Sequence, residues 1–201
     1  MIAGPTSGGT SMVKQLLLNR AAVVAAFALA SGGAMAQGLD EAAAKLYPNY
    51  VTDDMLLNAD KDAQNWLLYG RDYQTTRYSP LAQVNQSNVK NLKAAWQLSF
   101  GVLDGQDSQA VAVNGTVYVT SSYNKVWSVD GATGKVNWKY ERELPGDVFP
   151  KLCCDVVNRG VAVYKNKVYL ATLDAHIVAL DNATGKVVWD KKMGDYTYAE
   201  T

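Results

Sequence analysis

Residues 116–138 read TVYVTSSYNKVWSVDGATGKVNW, and residues 167–189 read KVYLATLDAHIVALDNATGKVVW. The second stretch follows the first at an offset of 51 residues, and the two align without a gap. From Val117 onward, nine of the twenty-two aligned pairs are identical. Self-similarity at a fixed period is typical of an internal structural repeat. The fold is therefore expected to consist of copies of one unit.

Each unit is predicted to contain three short strands separated by turns. β-Branched and aromatic residues mark these strands in both copies. The motif Asp-x-Ala-Thr-Gly-Lys separates the last two strands of each copy. Asp130 and Asp181 are expected to fold Asx-turns, and Gly134 and Gly185 to adopt the positive φ of a tight hairpin. The unit is thus predicted to be an antiparallel meander.

A meander repeated every 51 residues predicts an all-β fold of the β-propeller type. A propeller closes with about four to eight blades, and two units cannot close a ring. Residues 65–201 are therefore expected to be the first blades of a partial propeller, either the front of a longer protein or a truncated product. Leu92–Phe100 is expected to be the closing strand of an earlier blade or a velcro strand, with Trp96 in the place of the repeat tryptophans.

The composition is that of a globular protein, with 48% hydrophobic and 19% charged residues. Nineteen basic residues balance nineteen acidic ones. Because nucleic-acid binding relies on an excess of basic charge, this balance argues against a nucleic-acid partner.

The first 36 residues are predicted to be a signal peptide. A positively charged segment ends at Arg20, the apolar run 21–30 follows, and a small-x-small cleavage site occupies 34–36. The alternative is a buried or membrane-spanning helix, but a span needs about 20 apolar residues. Residues 1–11 are interpreted as an upstream leader. The mature protein is expected to be periplasmic, not membrane-embedded, and in an oxidising compartment.

Residues 37–64 are predicted to form an N-terminal arm. The arm is expected to contain one amphipathic helix around Thr52–Ala63, with Thr52 or Asp53 as its N-cap. The next segment, Asn65–Pro80, mixes aromatic residues with turn formers and has no sustained period. This segment is expected to pack in extended form against a larger body.

Both cysteines of the chain are adjacent, at Cys153 and Cys154. Adjacent Cα atoms lie about 3.8 Å apart, whereas ordinary disulfides prefer about 4.4–6.8 Å. A disulfide here would close a strained eight-membered ring, which an oxidising compartment favours. Two reduced cysteines acting as small hydrophobes are the alternative. Metal binding is less favoured because His176 is the one further soft ligand.

Four segments together carry a family resemblance: NWLLYGRDYQTTRYSPL, GQDSQAVAVNGTVYVT, LPGDVFPKLCCDVVNRG and the paired ATGKxxW motifs. In this order and spacing they resemble the N-terminal part of the quinoprotein alcohol dehydrogenases, periplasmic enzymes that use pyrroloquinoline quinone (PQQ). ATGKxxW alone is moderately specific, because other propellers carry it. Cys-Cys-Asp-x-Val-Asn-Arg-Gly between two such units is highly specific.

The resemblance implies an eight-bladed propeller in which PQQ lies on a Cys153–Cys154 disulfide. It also implies that Arg159 meets a carboxylate of PQQ, since guanidinium groups form charge-assisted bonds to carboxylates. A surface ion pair is the alternative role for Arg159. Asp107 aligns with a glutamate that lies near PQQ in the family, and it is one methylene shorter. Gln109 stands where some members have a small hydroxyl residue.

The implied activity is the oxidation of primary alcohols of the methanol or ethanol type to aldehydes by hydride transfer to metal-bound PQQ. A Ca²⁺ or lanthanide ion and an aspartate base serve this chemistry in the family. Their positions are expected beyond residue 201, so the sequence assigns no catalytic or metal-ligating residue here, and none to His176. A small alcohol and a periplasmic cytochrome c or equivalent acceptor are the implied partners. The alternatives are a non-catalytic periplasmic scaffold and an inactive truncated fragment.

Overall fold

The computed structural model describes residues 38–198. The chain divides into two compact units, Met1–Lys45 and Leu46–Thr201. In the first unit the described residues belong to helix α1, which occupies 38–46. The proposed signal peptide and leader lie outside the described residues. Among the helices of the described part, none is long and apolar enough to cross a membrane.

The second unit contains two four-stranded antiparallel sheets, each a simple meander. The first blade consists of β1 (Val111–Val113), β2 (Thr116–Ser121), β3 (Lys125–Asp130) and β4 (Val136–Tyr140). The second blade consists of β5 (Ala162–Tyr164), β6 (Lys167–Ala171), β7 (His176–Asp181) and β8 (Val187–Lys192). The predicted meander is confirmed, but each blade has four strands rather than three. The missed strands, β1 and β5, are three residues long, too short to show a clear alternation.

The turn between the last two strands has the predicted chemistry in both blades. The Asp130 carboxylate accepts from the backbone N–H of Thr133 at 2.8 Å, and Asp181 accepts from that of Thr184 at 2.9 Å. Gly134 and Gly185 have φ of +74° and +70°. These local hydrogen bonds explain why the same six-residue motif occurs twice.

A tryptophan of the first blade packs on the turn of the second. A Cβ atom on Gly185 would lie 2.6 Å from the Trp138 ring, so only glycine allows this approach. Trp138 Nε1 also donates to the Asn182 carbonyl at 2.9 Å. The repeat therefore encodes a contact between blades as well as the strands within one.

The segment Leu92–Phe100 forms no strand in the structure, which corrects the expectation of a closing strand. Trp96 nevertheless makes the contact expected of a repeat tryptophan. Its ring covers Gly134, and its Nε1 donates to the Gly131 carbonyl at 3.0 Å. Trp96 makes this contact with the β3–β4 turn, so the contact does not require Trp96 to belong to a paired strand.

The core is one cluster of buried apolar side chains drawn from both blades and from the segment before them. Its members are Val51, Ala59, Leu67, Val111, Val113, Tyr118, Val126, Trp138, Val163, Val168, Leu170, Val178 and Leu180. Burying each valine or leucine side chain contributes about 1.5–3 kcal/mol. The cluster therefore joins the two sheets into one folded body.

The segment before the first blade is attached to both sheets by backbone pairing. Val51 exchanges two hydrogen bonds with Lys165 in the β5–β6 turn, at 3.0 and 2.8 Å. Trp66 exchanges two with Ala112 in β1, both at 2.9 Å. Farther along, the side chains of residues 73–80 are exposed. Within Asn65–Pro80, Trp66 therefore attaches the segment to the first blade, whereas the exposed residues 73–80 do not.

Helix α2 is shorter than predicted, because it occupies only Asp53–Leu57. Thr52 is its N-cap and accepts from Met55 N–H at 3.2 Å. The helix stops at Asn58, whose side-chain amide donates to the Asp54 carbonyl at 3.0 Å. The backbone N–H of Asn58 donates to the same carbonyl at 3.0 Å, so Asn58 is the C-cap of the helix. Helix α1 was not predicted, although its alanine-rich sequence favours a helix.

Candidate cofactor site

The two cysteines lie in the connection between β4 and β5, after a short 3₁₀ helix at Phe149–Lys151. Their sulfurs form a disulfide, with the Cα atoms 3.8 Å apart. The described residues contain no free cysteine. Both cysteines are exposed, so the disulfide presents a surface that a ligand can contact.

The residues after the disulfide hold it against the first blade. Asp155 adopts φ of +68°, and its carboxylate accepts from the backbone N–H of Val156 at 2.7 Å. The carbonyl of Val156 in turn accepts from Tyr123 N–H, in the β2–β3 turn, at 3.0 Å. The disulfide therefore has a defined position beside the first blade.

A small cavity of about 90 Å³ opens at the disulfide. It is lined by Leu152, Cys153, Cys154, Asp155, Val157, Arg159 and Leu173. Three of these side chains are aliphatic, two supply the disulfide, one supplies a guanidinium, and the seventh is the Asp155 carboxylate, which accepts from the backbone N–H groups of Val156 and Gly105. Such a lining suits a ligand with a flat apolar body and an anionic edge.

Arg159 forms an ion pair with Asp107, whose carboxylate oxygen lies 3.2 Å from Arg159 Nε. Their side chains are 60% and 63% exposed. A pair this exposed contributes at most about 1 kcal/mol to stability, so it does not compete strongly with a ligand carboxylate. Arg159 lines the cavity together with the two cysteines, whereas Asp107 does not line it and touches the site through Arg159.

Several hydrogen bonds attach the loop that carries Asp107 to its surroundings, three of them from Gly105 and Gln106. Ser122 Oγ donates to the Gly105 carbonyl at 2.5 Å, and Gln106 Nε2 donates to Ser122 Oγ at 2.7 Å. Gly105 N–H donates to the Asp155 carboxylate at 3.4 Å. Asp155 thus connects the disulfide turn to the Asp107 loop, a role that its place in the cysteine motif did not reveal.

A larger cavity of about 440 Å³ is also lined in part by Arg159. Its lining consists of Leu67, Leu68, Tyr69, Gln109, Val111, Asn158, Arg159, Gly160, Val161, Ala162 and Ala171. Gln109 donates its side-chain amide to the Tyr69 carbonyl and its backbone N–H to the Arg159 carbonyl, the latter at 3.2 Å. The sequence held no signal for this cavity, because its walls come from distant segments.

His176 is at the start of β7, 26% exposed in its side chain, with Nδ1 2.6 Å from an Asp190 carboxylate oxygen. It lines neither of these cavities. Within residues 38–198, no three His, Cys, Asp or Glu side chains gather in a way that could hold a metal ion.

The fold and the site together define the class of protein. Two meanders of four strands, packed through a tryptophan and joined by a connection with a vicinal disulfide, form part of a β-propeller. The family model for the PQQ glucose/ethanol/alcohol dehydrogenase β-propeller domain matches residues 66–196. The chain belongs to this family.

Relatives and solved structures agree with this assignment. The chain is 47% identical over 165 residues to a quinoprotein ethanol dehydrogenase of Pseudomonas aeruginosa, a match covering 81% of the chain and 26% of the relative. A crystal structure of the quinohemoprotein alcohol dehydrogenase of Comamonas testosteroni is similar with a TM-score of 0.66 and 40% identity, covering 70% of this chain and 21% of that one. A europium-containing methanol dehydrogenase gives a TM-score of 0.67 and 38% identity, covering 71% and 25%. The chain thus spans about a quarter of the length of these relatives.

Proposed function

We propose that the protein carrying this sequence is a PQQ-dependent dehydrogenase that oxidises primary alcohols to aldehydes. In this proposal the present chain supplies one wall of the cofactor site. The observation that carries the proposal is the exposed guanidinium of Arg159 beside the Cys153–Cys154 disulfide, in one cavity. A structural scaffold has no need for this combination.

The residues of the cavity fit the chemistry of PQQ. PQQ is a flat conjugated quinone with three carboxylates. The exposed disulfide and the aliphatic side chains of Leu152, Val157 and Leu173 offer it a polarisable, apolar surface. Arg159 offers up to two parallel N–H donors to a carboxylate. Cys153, Cys154 and Arg159 are therefore assigned to direct contact with the cofactor, and Asp107, the ion-pair partner of Arg159, to the edge of the same cofactor site.

When bound, PQQ would supply the electron-accepting quinone for alcohol oxidation. The present residues would bind and orient it: the disulfide would offer an apolar surface to the ring, and Arg159 would bind a carboxylate. Holding the cofactor in one orientation would be their positioning contribution to the reaction. The catalytic base and the metal ligands are not assigned to residues of this chain.

The remaining parts of the proposal extend the same function. Ethanol or methanol is the proposed substrate type, since relatives named for both alcohols match this chain. A Ca²⁺ or lanthanide ion is the proposed Lewis acid. The signal peptide predicted for residues 1–36 supports the proposal of a periplasmic location, where a cytochrome c or an equivalent carrier would accept the electrons.

Reconstitution tests this function directly. The complete protein that carries this sequence would be purified without cofactor, loaded with PQQ and either Ca²⁺ or La³⁺, and assayed for dye reduction with ethanol and methanol. We expect alcohol-dependent dye reduction with at least one metal. A protein loaded with metal alone is the control, and a variant with both Cys153→Ala and Cys154→Ala is expected to retain less PQQ.

Two outcomes would count against the proposal. The first is a folded protein that reduces no dye with either metal. The second is PQQ retention equal in the wild type and in the variant without the two cysteines, because the disulfide would then have no part in binding.

A further inference from the structure

Thr120 is a fully buried polar residue of β2 that lies close to the Arg159–Asp107 ion pair without touching it. Strand β2 belongs to the first blade, whereas Arg159 leads into the second. A buried hydroxyl costs free energy unless it is hydrogen-bonded, so its partners show what it holds together.

Those partners are Ser108 and Asn158. The backbone N–H of Thr120 donates to Ser108 Oγ at 3.0 Å, and the two hydroxyl oxygens lie 2.8 Å apart. Thr120 Oγ1 donates to the Asn158 carbonyl at 2.9 Å. Because each hydroxyl has one proton and Thr120 gives its proton to that carbonyl, Ser108 donates to Thr120. The two hydroxyl protons, the Thr120 N–H and the Asn158 carbonyl are thereby all paired.

Each partner is the chain neighbour of one member of the ion pair. Ser108 follows Asp107, and Asn158 precedes Arg159. Asn158 is itself 92% buried, and its side-chain amide donates to the Ala171 carbonyl of the second blade at 2.9 Å. The Thr120 hydroxyl therefore connects the loop of one charged residue to the loop of the other.

The ion pair cannot fix its own geometry. Two side chains that are about 60% exposed gain little from their attraction, and each has many rotamers in water. A buried hydrogen-bond network is stronger and more rigid, because the surrounding dielectric is low. The positions of the Asp107 and Arg159 backbones must therefore come from such buried contacts.

We propose that Thr120 is a positioning residue that sets the place of Arg159 for a carboxylate of the cofactor, by joining Ser108 to Asn158 across the two blades. This inference rests on the proposed function and deepens it. Thr120 lines neither cavity itself, so it acts through its two partners.

The test is the affinity for PQQ of the complete, cofactor-free protein, measured by equilibrium dialysis. Thr120→Val keeps the shape and removes the hydroxyl. We expect it to raise the Kd for PQQ about three- to tenfold, the range of one hydrogen bond. Thr120→Ser restores the hydroxyl and should restore affinity to within about twofold of the wild type.

A double-mutant cycle separates a positioning role of Thr120 from a general effect on stability. In an Arg159→Gln background, Thr120→Val should change the Kd less than about twofold, because the group that it positions is gone. Tyr118→Phe is the matched control: it removes another buried hydroxyl of β2, which bonds Asn182 of the second blade at 3.3 Å. This control should lower the Tm without changing the Kd.

The outcomes are distinct. Unchanged affinity in Thr120→Val, or an equal loss in the wild-type and Arg159→Gln backgrounds, would overturn the positioning role alone. A wild-type protein that binds no PQQ would overturn the proposed function, and the positioning role with it.

Discussion

Arg159 occupies a backbone position that its neighbours define closely. The next residue, Gly160, has φ of +128°, and a Cβ atom there would lie 2.7 Å from the Gln109 carbonyl oxygen. Only glycine allows the Arg159 and Asp107 loops to approach this closely. In this sequence Asn158 is therefore a buried anchor, Arg159 is an exposed cation, and Gly160 permits the close approach of the two loops.

At Arg159 the identity of the cation should matter as well as its charge. Arg159→Gln should raise the Kd for PQQ about 10- to 100-fold, because hydrogen bonds to charged groups contribute about 1.5–3 kcal/mol. Arg159→Lys should recover only part of this loss, since lysine lacks the planar fork. The measurement is fluorescence titration of the cofactor-free complete protein. Lys135→Gln, an exposed cation of the β3–β4 turn, is the control and should leave the Kd unchanged.

Arg142 lies near the start of the connection between the blades. It forms hydrogen bonds to two carboxylates of the second blade. Its guanidinium donates to Asp174 at 2.6–2.8 Å and to Asp190 at 2.7 Å. The side chains of Arg142 and Asp174 are only 10% and 6% exposed. Burial acts to raise the pKa of Asp174, but the hydrogen bonds and charge of Arg142 hold that pKa below its ordinary value of 3.8. This connection is thus fixed at its start by charge.

The depressed pKa of Asp174 predicts an acid-dependent stability. The folded state binds this proton less readily than the unfolded state, so the stabilisation is present above the ordinary pKa and is lost as pH falls through the lower, folded one. Asp174→Asn should therefore flatten the fall in stability below about pH 4, and should cost about 3 kcal/mol at pH 7 by leaving Arg142 partly unpaired. Urea denaturation of the complete protein between pH 3 and 7 measures both effects.

The control for this pH prediction is Glu143→Gln, an exposed carboxylate one residue from Arg142. It should follow the wild-type pH dependence closely. An Asp174→Asn protein with the wild-type slope in acid would show that this carboxylate does not carry the effect.

Several contacts between side chains and turns join the two blades of the molecule. Trp138 covers Gly185, and the Tyr118 hydroxyl bonds the Asn182 carbonyl at 3.3 Å. Asn49, from the segment before the blades, donates to Tyr118 Oη at 2.9 Å and accepts from Asn182 Nδ2 at 2.8 Å. These contacts hold the disulfide connection between two fixed sheets.

Gly185→Ala tests the contact between blades. Gly115→Ala is the matched control, since Gly115 also has positive φ, at +81°, but an added Cβ there meets nothing within 4 Å. Both variants should lose about 1–2 kcal/mol from backbone strain. Gly185→Ala should lose a further 1–3 kcal/mol or so, because its Cβ overlaps the Trp138 ring. Denaturant midpoints of the complete proteins give the comparison, and equal losses would contradict a tight contact between blades.

The sequence alone determined the repeating part of this protein. The meander, the Asx-turns and the glycines of positive φ depend on residues within one unit, and the offset of 51 residues displays each of them twice, together with the repeat tryptophans. The resemblance carried by the cysteine motif likewise predicted the family that the comparisons show. Signals of this kind are local, so they are visible in the linear chain.

Only the tertiary structure decided the rest. Strands β1 and β5 exist because a longer neighbour pairs with them, and helix α2 ends at its C-cap Asn58, short of the predicted end at Ala63. The Asp107–Arg159 pair, the Thr120 network and the larger cavity each join segments from separate parts of the chain. Tertiary packing brings these groups together from distant parts of the chain, so the spacing of residues within one segment cannot predict a partner that another segment provides.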